Sequence, residues 1–133
     1  MGHLDNILPD GWSRPPGYSQ GVLHGGSRTL AIAGQVGKDE RTGEMPEGFG
    51  AQWAAALANV AAVVEAAGGK PSDITAMRIY VTSIDAYREA GPELPDGYTA
   101  ALGKHFPAMT LVEVTGLLEP AALVEIDAQA ILG

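Results

Sequence analysis

The sequence predicts an α+β domain in which elements of order β-β-α-β-α-β-β build one mixed sheet with both helices on a single face. Two stretches with apolar residues every three or four positions alternate with strand-like stretches of period two, and the 18 glycines and 9 prolines mark the boundaries between them. No repeat, low-complexity tract or charge block divides the 133 residues. Residues 1–133 therefore read as one domain, with 1–16 as an extended N-terminal segment.

The elements follow in order. Pro15-Pro16-Gly17 holds the chain extended or turning, because proline fixes its own φ and restricts its predecessor. Residues 20–24 read as a short strand, and Gly25-Gly26-Ser27 predicts a hairpin into a second strand over 29–33, with Leu30 and Ile32 on one face. Residues 35–49 form a long polar loop. Trp53, Leu57, Val60, Val64 and Ala67 make one apolar stripe of a helix over 50–67, which Gly68-Gly69 stops. Over 73–82, Met77, Ile79 and Val81 alternate with Arg78, Tyr80 and Thr82, the pattern of a half-buried strand. A short helical turn follows near 85–89. Asp96 is placed to cap a helix over 98–106 that Pro107 ends. Strands over 110–115 and 123–132, joined by a turn around 116–120, close the chain.

On the last strand Val124, Ile126, Ala128 and Ala130 suit packing under a helix, with Val112 and Val114 as their counterparts on the strand before. The alternate set, Leu111, Glu113 and Thr115 with Leu123, Glu125, Asp127, Gln129 and Ile131, leaves the helix-free face half apolar and acidic. Such a face is either solvated or part of an interface or cleft.

Composition excludes several classes of function. Without cysteine there is no disulfide framework, thiolate metal site or cysteine nucleophile. His3, at a terminus expected to fray, His24 and His105 show no metal-ligand spacing, so no metal is expected. Eight basic against sixteen acidic residues give a net charge of −8, and the basic residues are scattered singly, so nucleic acid is not an expected partner. No apolar run approaches the roughly 18 residues that cross a bilayer, and the first ten residues lack the features of a signal peptide. The expectation is a cytoplasmic protein with no membrane partner.

Gly17-Tyr18-Ser19-Gln20-Gly21 spells G-x-S-x-G, but a nucleophile elbow needs a strand entering and a helix leaving. Here Pro15-Pro16 enters and the strand-like Val22-Leu23 leaves, which reads as a glycine-flanked loop. Glu125 is the acidic residue that stands out. Partial burial beside Leu111 and Leu123 would raise its pKa and suit it to proton transfer, and the alternative is an exposed or salt-bridged strand carboxylate.

Tyr18-Ser19-Gln20-Gly21-Val22, Ile32-Ala33-Gly34-Gln35-Val36 and Arg41-Thr42-Gly43-Glu44 resemble the opening of the reactive intermediate deaminase family, also called Rid or YjgF. Asn59-Val60 with Glu65-Ala66-Ala67-Gly68 resembles its first-helix signature, and Tyr80-Val81, Phe106-Pro107-Ala108, Val112-Glu113-Val114 and Val124-Glu125-Ile126-Asp127-Ala128 resemble its closing strands. The resemblance, covering about residues 17–131, implies a chorismate-mutase-like fold. It also implies a homotrimer whose sheets form a barrel, with small-molecule clefts between subunits. It further implies cofactor-independent hydrolysis of enamines and imines, with ammonia as leaving group. Ribonuclease or translation-inhibitor activity has also been attributed to the family, and the acidic charge balance counts against it.

Carried over by resemblance, Glu125 is the catalytic carboxylate. Tyr18, Ser19, Gly34, Gln35, Met109 and Thr110 line the cleft. One position departs: the family's Pro-Ala-Arg reads Pro107-Ala108-Met109 here. The family's following cysteine is Leu111, and its asparagine ahead of the second helix has no counterpart around Leu94-Pro95-Asp96. The arginine is the group that grips the substrate carboxylate through paired charged hydrogen bonds, whereas methionine offers no donor. The expected cleft prefers a neutral or apolar ligand over an α-imino acid, unless Arg78 supplies a substitute cation. A trimer that binds a ligand without turning it over is the alternative of a different class.

Overall fold

The computed structural model describes residues 3–133. Among these residues six strands form two sheets. In the smaller, β1 (Leu4–Ile7) pairs antiparallel with β2 (Gly21–His24). The larger sheet has the order β3-β6-β4-β5, built from β3 (Arg28–Val36), β4 (Ile74–Val81), β5 (Ala108–Glu113) and β6 (Val124–Leu132). β6 runs antiparallel to both β3 and β4, while β5 runs parallel to β4, so the sheet is mixed as expected. Helices α1 (Phe49–Ala66), α2 (Ile84–Glu89) and α3 (Glu93–Leu102) pack on one face. The core lies between α1 and the sheet, where Leu57, Val60 and Val64 meet Met77, Ile79 and Ile126, all fully buried.

α1 begins and ends within one residue of its expected limits. Gly68, at φ +88°, turns the chain out of the helix while its N–H donates to the Glu65 carbonyl. By length and composition α1 could cross a bilayer, contrary to the sequence reading, but half of it is buried inside this fold, as in the core helix of a globular domain.

Four expectations are corrected. β2 does not form a hairpin with β3; its partner is β1, which arises within the segment expected to be merely extended. The 25–27 turn packs on the end of β6 instead: a Cβ on Gly26 would lie 2.6 Å from Ile131 Cγ2, so glycine is needed there for close approach. α3 starts at Glu93, with Asp96 inside its first turn rather than at the cap. β5 starts at Ala108, two residues early, and its phase is opposite to the expected one. Met109 and Leu111 are in register with Met77 and Ile79 on the helix side, while Thr110 and Val112 share the open side with Arg78 and Tyr80. Glu125 therefore lies across the sheet from Leu111 rather than beside it. Finally, His3 is not frayed: its Nε2 lies 3.3 Å from Asp73 Oδ1 and meets the Ile131 carbonyl.

Candidate functional site

The residues singled out from the sequence gather at two places. The first is the β5 edge. Gly17, at φ +76°, leads the chain into a segment that runs beside the start of β5. Ser19 bridges to Ala108, its N–H donates to the Pro107 carbonyl at 3.1 Å, and its hydroxyl donates to the Phe106 carbonyl. These bonds explain Ser19 as a structural residue of the loop. They also hold Tyr18 at the mouth of a pocket of about 410 Å³, whose walls include Met109, Leu111, Trp53, Tyr98 and Phe106. Among the described residues, no charged side chain lines this pocket.

A smaller cavity of about 250 Å³ adjoins it, sharing Tyr18 and Met109 and adding Ser19, Thr110 and Arg78. Arg78 is thus close to the expected cleft, but its charge is already matched. Its Nε donates to Asp127 Oδ1 at 2.9 Å, and the Tyr80 hydroxyl donates to Asp127 Oδ2 at 2.9 Å. The hydrogen bond to Asp127 and the attraction between the two charges hold the Arg78 pKa above its usual value. The same carboxylate raises Tyr80, since ionisation would forfeit that bond.

The second place is the junction of β3 and β6. Ile32 is opposite Ala128 and Gln35 opposite Ile126, so Ala33 and Gly34 together face Asp127 in a bulge. The half-buried Glu125 lays its side chain over Gly34: a Cβ there would lie 2.0 Å from Oε2 and 2.8 Å from Cδ. Glycine is what leaves room for this carboxylate. Gln35 is turned toward α1, bordering a groove with Ala55 and Asn59, and donates to the Ala33 carbonyl at 3.1 Å.

Gly34→Ala is accordingly expected to fold while expelling the Glu125 carboxylate from its place, because the obstructing atoms all belong to one flexible side chain. The forced rotamer change costs about 1 kcal/mol. A crystal structure of the variant should show Glu125 rotated away, with a melting temperature close to that of the parent.

Glu125 and Met109 are on opposite faces of the sheet, with β4 between their strands, so about 10 Å of strand spacing separates them. One chain does not bring the two groups together. Among the described residues there is no cluster of three or more histidine, aspartate or glutamate side chains able to hold a metal ion. Sequence reasoning missed two features. The Tyr80–Asp127–Arg78 network could not be foreseen without the pairing of β4 with β6, and Trp53 and Tyr98 read as ordinary inward-facing positions rather than as pocket walls.

The family described as Endoribonuclease L-PSP matches residues 13–132. The chain belongs to this family, the Rid/YjgF proteins. The 2-iminobutanoate/2-iminopropanoate deaminase of Escherichia coli K12 is 34% identical over 117 residues, 86% of each chain. The Rid-family protein YyfB from Yersinia pestis superposes with a TM-score of 0.82 at 29% identity, covering 98% of this chain and 99% of that one. E. coli TdcF with bound serine superposes with a TM-score of 0.70 at 27% identity, over 97% and 99% of the chains. The Rid fold is thus established over essentially the whole chain.

Proposed function

We propose that this Rid protein is a cofactor-independent hydrolase of a small, uncharged imine or enamine, acting at a cleft between subunits of a homotrimer. The observation that carries the reading is the absence of any charged side chain around the pocket beneath Tyr18 and beside Met109. An α-imino acid would bring its carboxylate there without a partner, and losing one member of a desolvated charge pair costs about 2–5 kcal/mol. The opposed placement of Glu125 and Met109 within one chain supports a cleft that a second copy completes.

In such a cleft a water oxygen adds to the imine carbon while Glu125 accepts the water proton and passes it to the nitrogen. The resulting carbinolamine then collapses. Its C–N bond breaks, its hydroxyl proton returns through Glu125, and ammonia leaves a carbonyl product.

The test measures hydrolysis of imines generated in situ, α-imino acids by an amino-acid oxidase and neutral imines by an amine oxidase. Carboxylate-bearing imines should be hydrolysed near the background rate, and Glu125→Gln should abolish turnover of any neutral imine that is accepted. Rapid hydrolysis of α-imino acids by the wild-type protein would remove the argument from Met109. Ligands that bind and are never turned over would establish the non-catalytic binding trimer instead. Light scattering should return three times the 13.7 kDa chain mass.

A further inference from the structure

We infer that the pocket beneath Tyr18 is built for a flat, uncharged aromatic group, so that the substrate is an aryl-bearing imine without an α-carboxylate. This names the substrate class of the proposed hydrolase and, for its chemical step, rests on that reading. The ligand class itself rests on the pocket.

Two packed groups of rings contribute its walls. Trp53 and Tyr87 meet edge to face at 5.7 Å, with Phe49 at 6.3 Å and 6.1 Å behind them. Tyr98 and Phe106 stack at 5.4 Å, 13° from parallel. The polar ends of the two most buried wall rings are already engaged: Trp53 Nε1 donates to the Leu94 carbonyl at 2.9 Å, and the Tyr98 hydroxyl donates to the His105 carbonyl at 2.6 Å. Burial raises the Tyr98 hydroxyl well above its usual pKa, so it stays neutral. What remains for a ligand is ring surface, the Met109 thioether, the aliphatic surface of Ile79, Leu94, Leu111 and the two prolines Pro16 and Pro95, and the hydroxyls of Tyr18, Tyr87 and Thr99.

Aromatic groups prefer offset-stacked or edge-to-face contact with such walls, and thioethers pack well at ring edges. A cavity of about 150 Å³ accommodates benzene, so about 410 Å³ has room for a ring and a short arm carrying the imine. Of the cations in the adjoining cavities, Arg78 is neutralised by Asp127, and Arg14 and Lys104 line a separate cavity that shares Tyr18 and Phe106 but not Met109. An imine of this kind, R–CH=NH, arises when an amine oxidase removes two electrons from a primary amine lacking a carboxylate, with dioxygen as acceptor. Hydrolysis then gives the aldehyde and ammonia. The protein's place is directly after an amine-oxidising reaction.

The binding test uses the intact protein carrying Trp12→Phe, which removes an exposed indole and leaves Trp53, in the pocket wall, as the sole tryptophan fluorophore. Titration with benzyl alcohol, benzoate and cyclohexylmethanol should show benzyl alcohol binding at least tenfold more tightly than benzoate and severalfold more tightly than the non-planar alcohol. Thr99→Phe, at the exposed rim where folding is not at stake, should weaken benzyl alcohol about tenfold. Benzoate binding as well as benzyl alcohol, or no response of Trp53 to any of the three, overturns the inference.

The chemical test compares the imine from 2-phenylethylamine, released by a flavin-dependent amine oxidase, with the imine from phenylalanine, released by an amino-acid oxidase, each followed by its initial rate of ammonia release. The protein should accelerate release from the first at least tenfold more strongly. Equal or stronger acceleration for the phenylalanine imine overturns the inference. Selective binding of benzyl alcohol without hydrolysis of either imine upholds the ligand class and overturns the hydrolase reading.

Discussion

Met109→Arg is expected to raise the hydrolysis of α-imino acids from background by about thirtyfold to several thousandfold, the range that corresponds to restoring one partner of a desolvated charge pair. Residue 109 is in register with Met77 on the helix side of β5, beneath Tyr18, so a guanidinium there enters the uncharged pocket rather than the open face of the sheet. Two donors in a fixed fork would meet a substrate carboxylate, and the neighbouring aromatic faces would support the cation. Methionine 109 is only half-buried, so a longer polar chain can extend along the pocket without breaking the core. Kinetics on imines made in situ should show the gain chiefly at low substrate concentration. Affinity for benzyl alcohol should fall in the same variant. A variant that folds and gains nothing would mean that the aromatic walls set the preference without help from residue 109.

What the sequence made legible was mainly local. The stripe of Trp53, Leu57, Val60 and Val64 determined α1 and its buried face, because helix periodicity and a glycine stop are encoded within a single segment. The alternation along β4 and β6 placed Ile79 and Ile126 in the core for the same reason. The two errors that affect the sheet involve choices between partners or faces. Val22 could pair with either side of the turn, and the partner is Asn6, six residues into a segment with no strong strand pattern. β5 is an edge strand whose two faces are both partly apolar, so Thr110–Leu111–Val112 offers no contrast from which to read its phase. For the site, the resemblance pointed to Gly34 and Glu125. That the glycine belongs to a bulge and makes room for the carboxylate is a matter of β3–β6 register, which no single segment contains.

Gln52→Leu is expected to lower stability by about 2–4 kcal/mol, because it would leave buried backbone groups without partners. At this chain length that is a fall in melting temperature of about 8–15 °C. Gln52 is 3% exposed on the inner face of α1, and its amide is fully used. Nε2 donates to the carbonyls of Pro46 and Ala121, each at 3.0 Å, and Oε1 accepts from the Leu123 N–H at 2.7 Å. One side chain thereby ties two irregular segments to the helix, the loop before α1 and the turn before β6. Gly37 supports the same junction, since a Cβ there would lie 2.6 Å from the Gln52 carbonyl oxygen.

Leucine matches the volume but supplies neither donor nor acceptor. Loosening at Leu123 would also be felt at Glu125, two residues along, so weaker positioning of the carboxylate should accompany the loss of stability. Gln52→Glu separates the two kinds of bond. Its carboxylate still accepts from Leu123, but it can donate to a carbonyl only when protonated, so its pKa in the folded state is raised. Stability is then complete below the unfolded pKa of about 4.3 and is lost as pH climbs through the folded value. Gln52→Glu should therefore approach wild-type stability in acid and fall away from it toward neutral pH. Gln52→Leu should show the same deficit throughout, a contrast that denaturant titrations at several pH values would resolve.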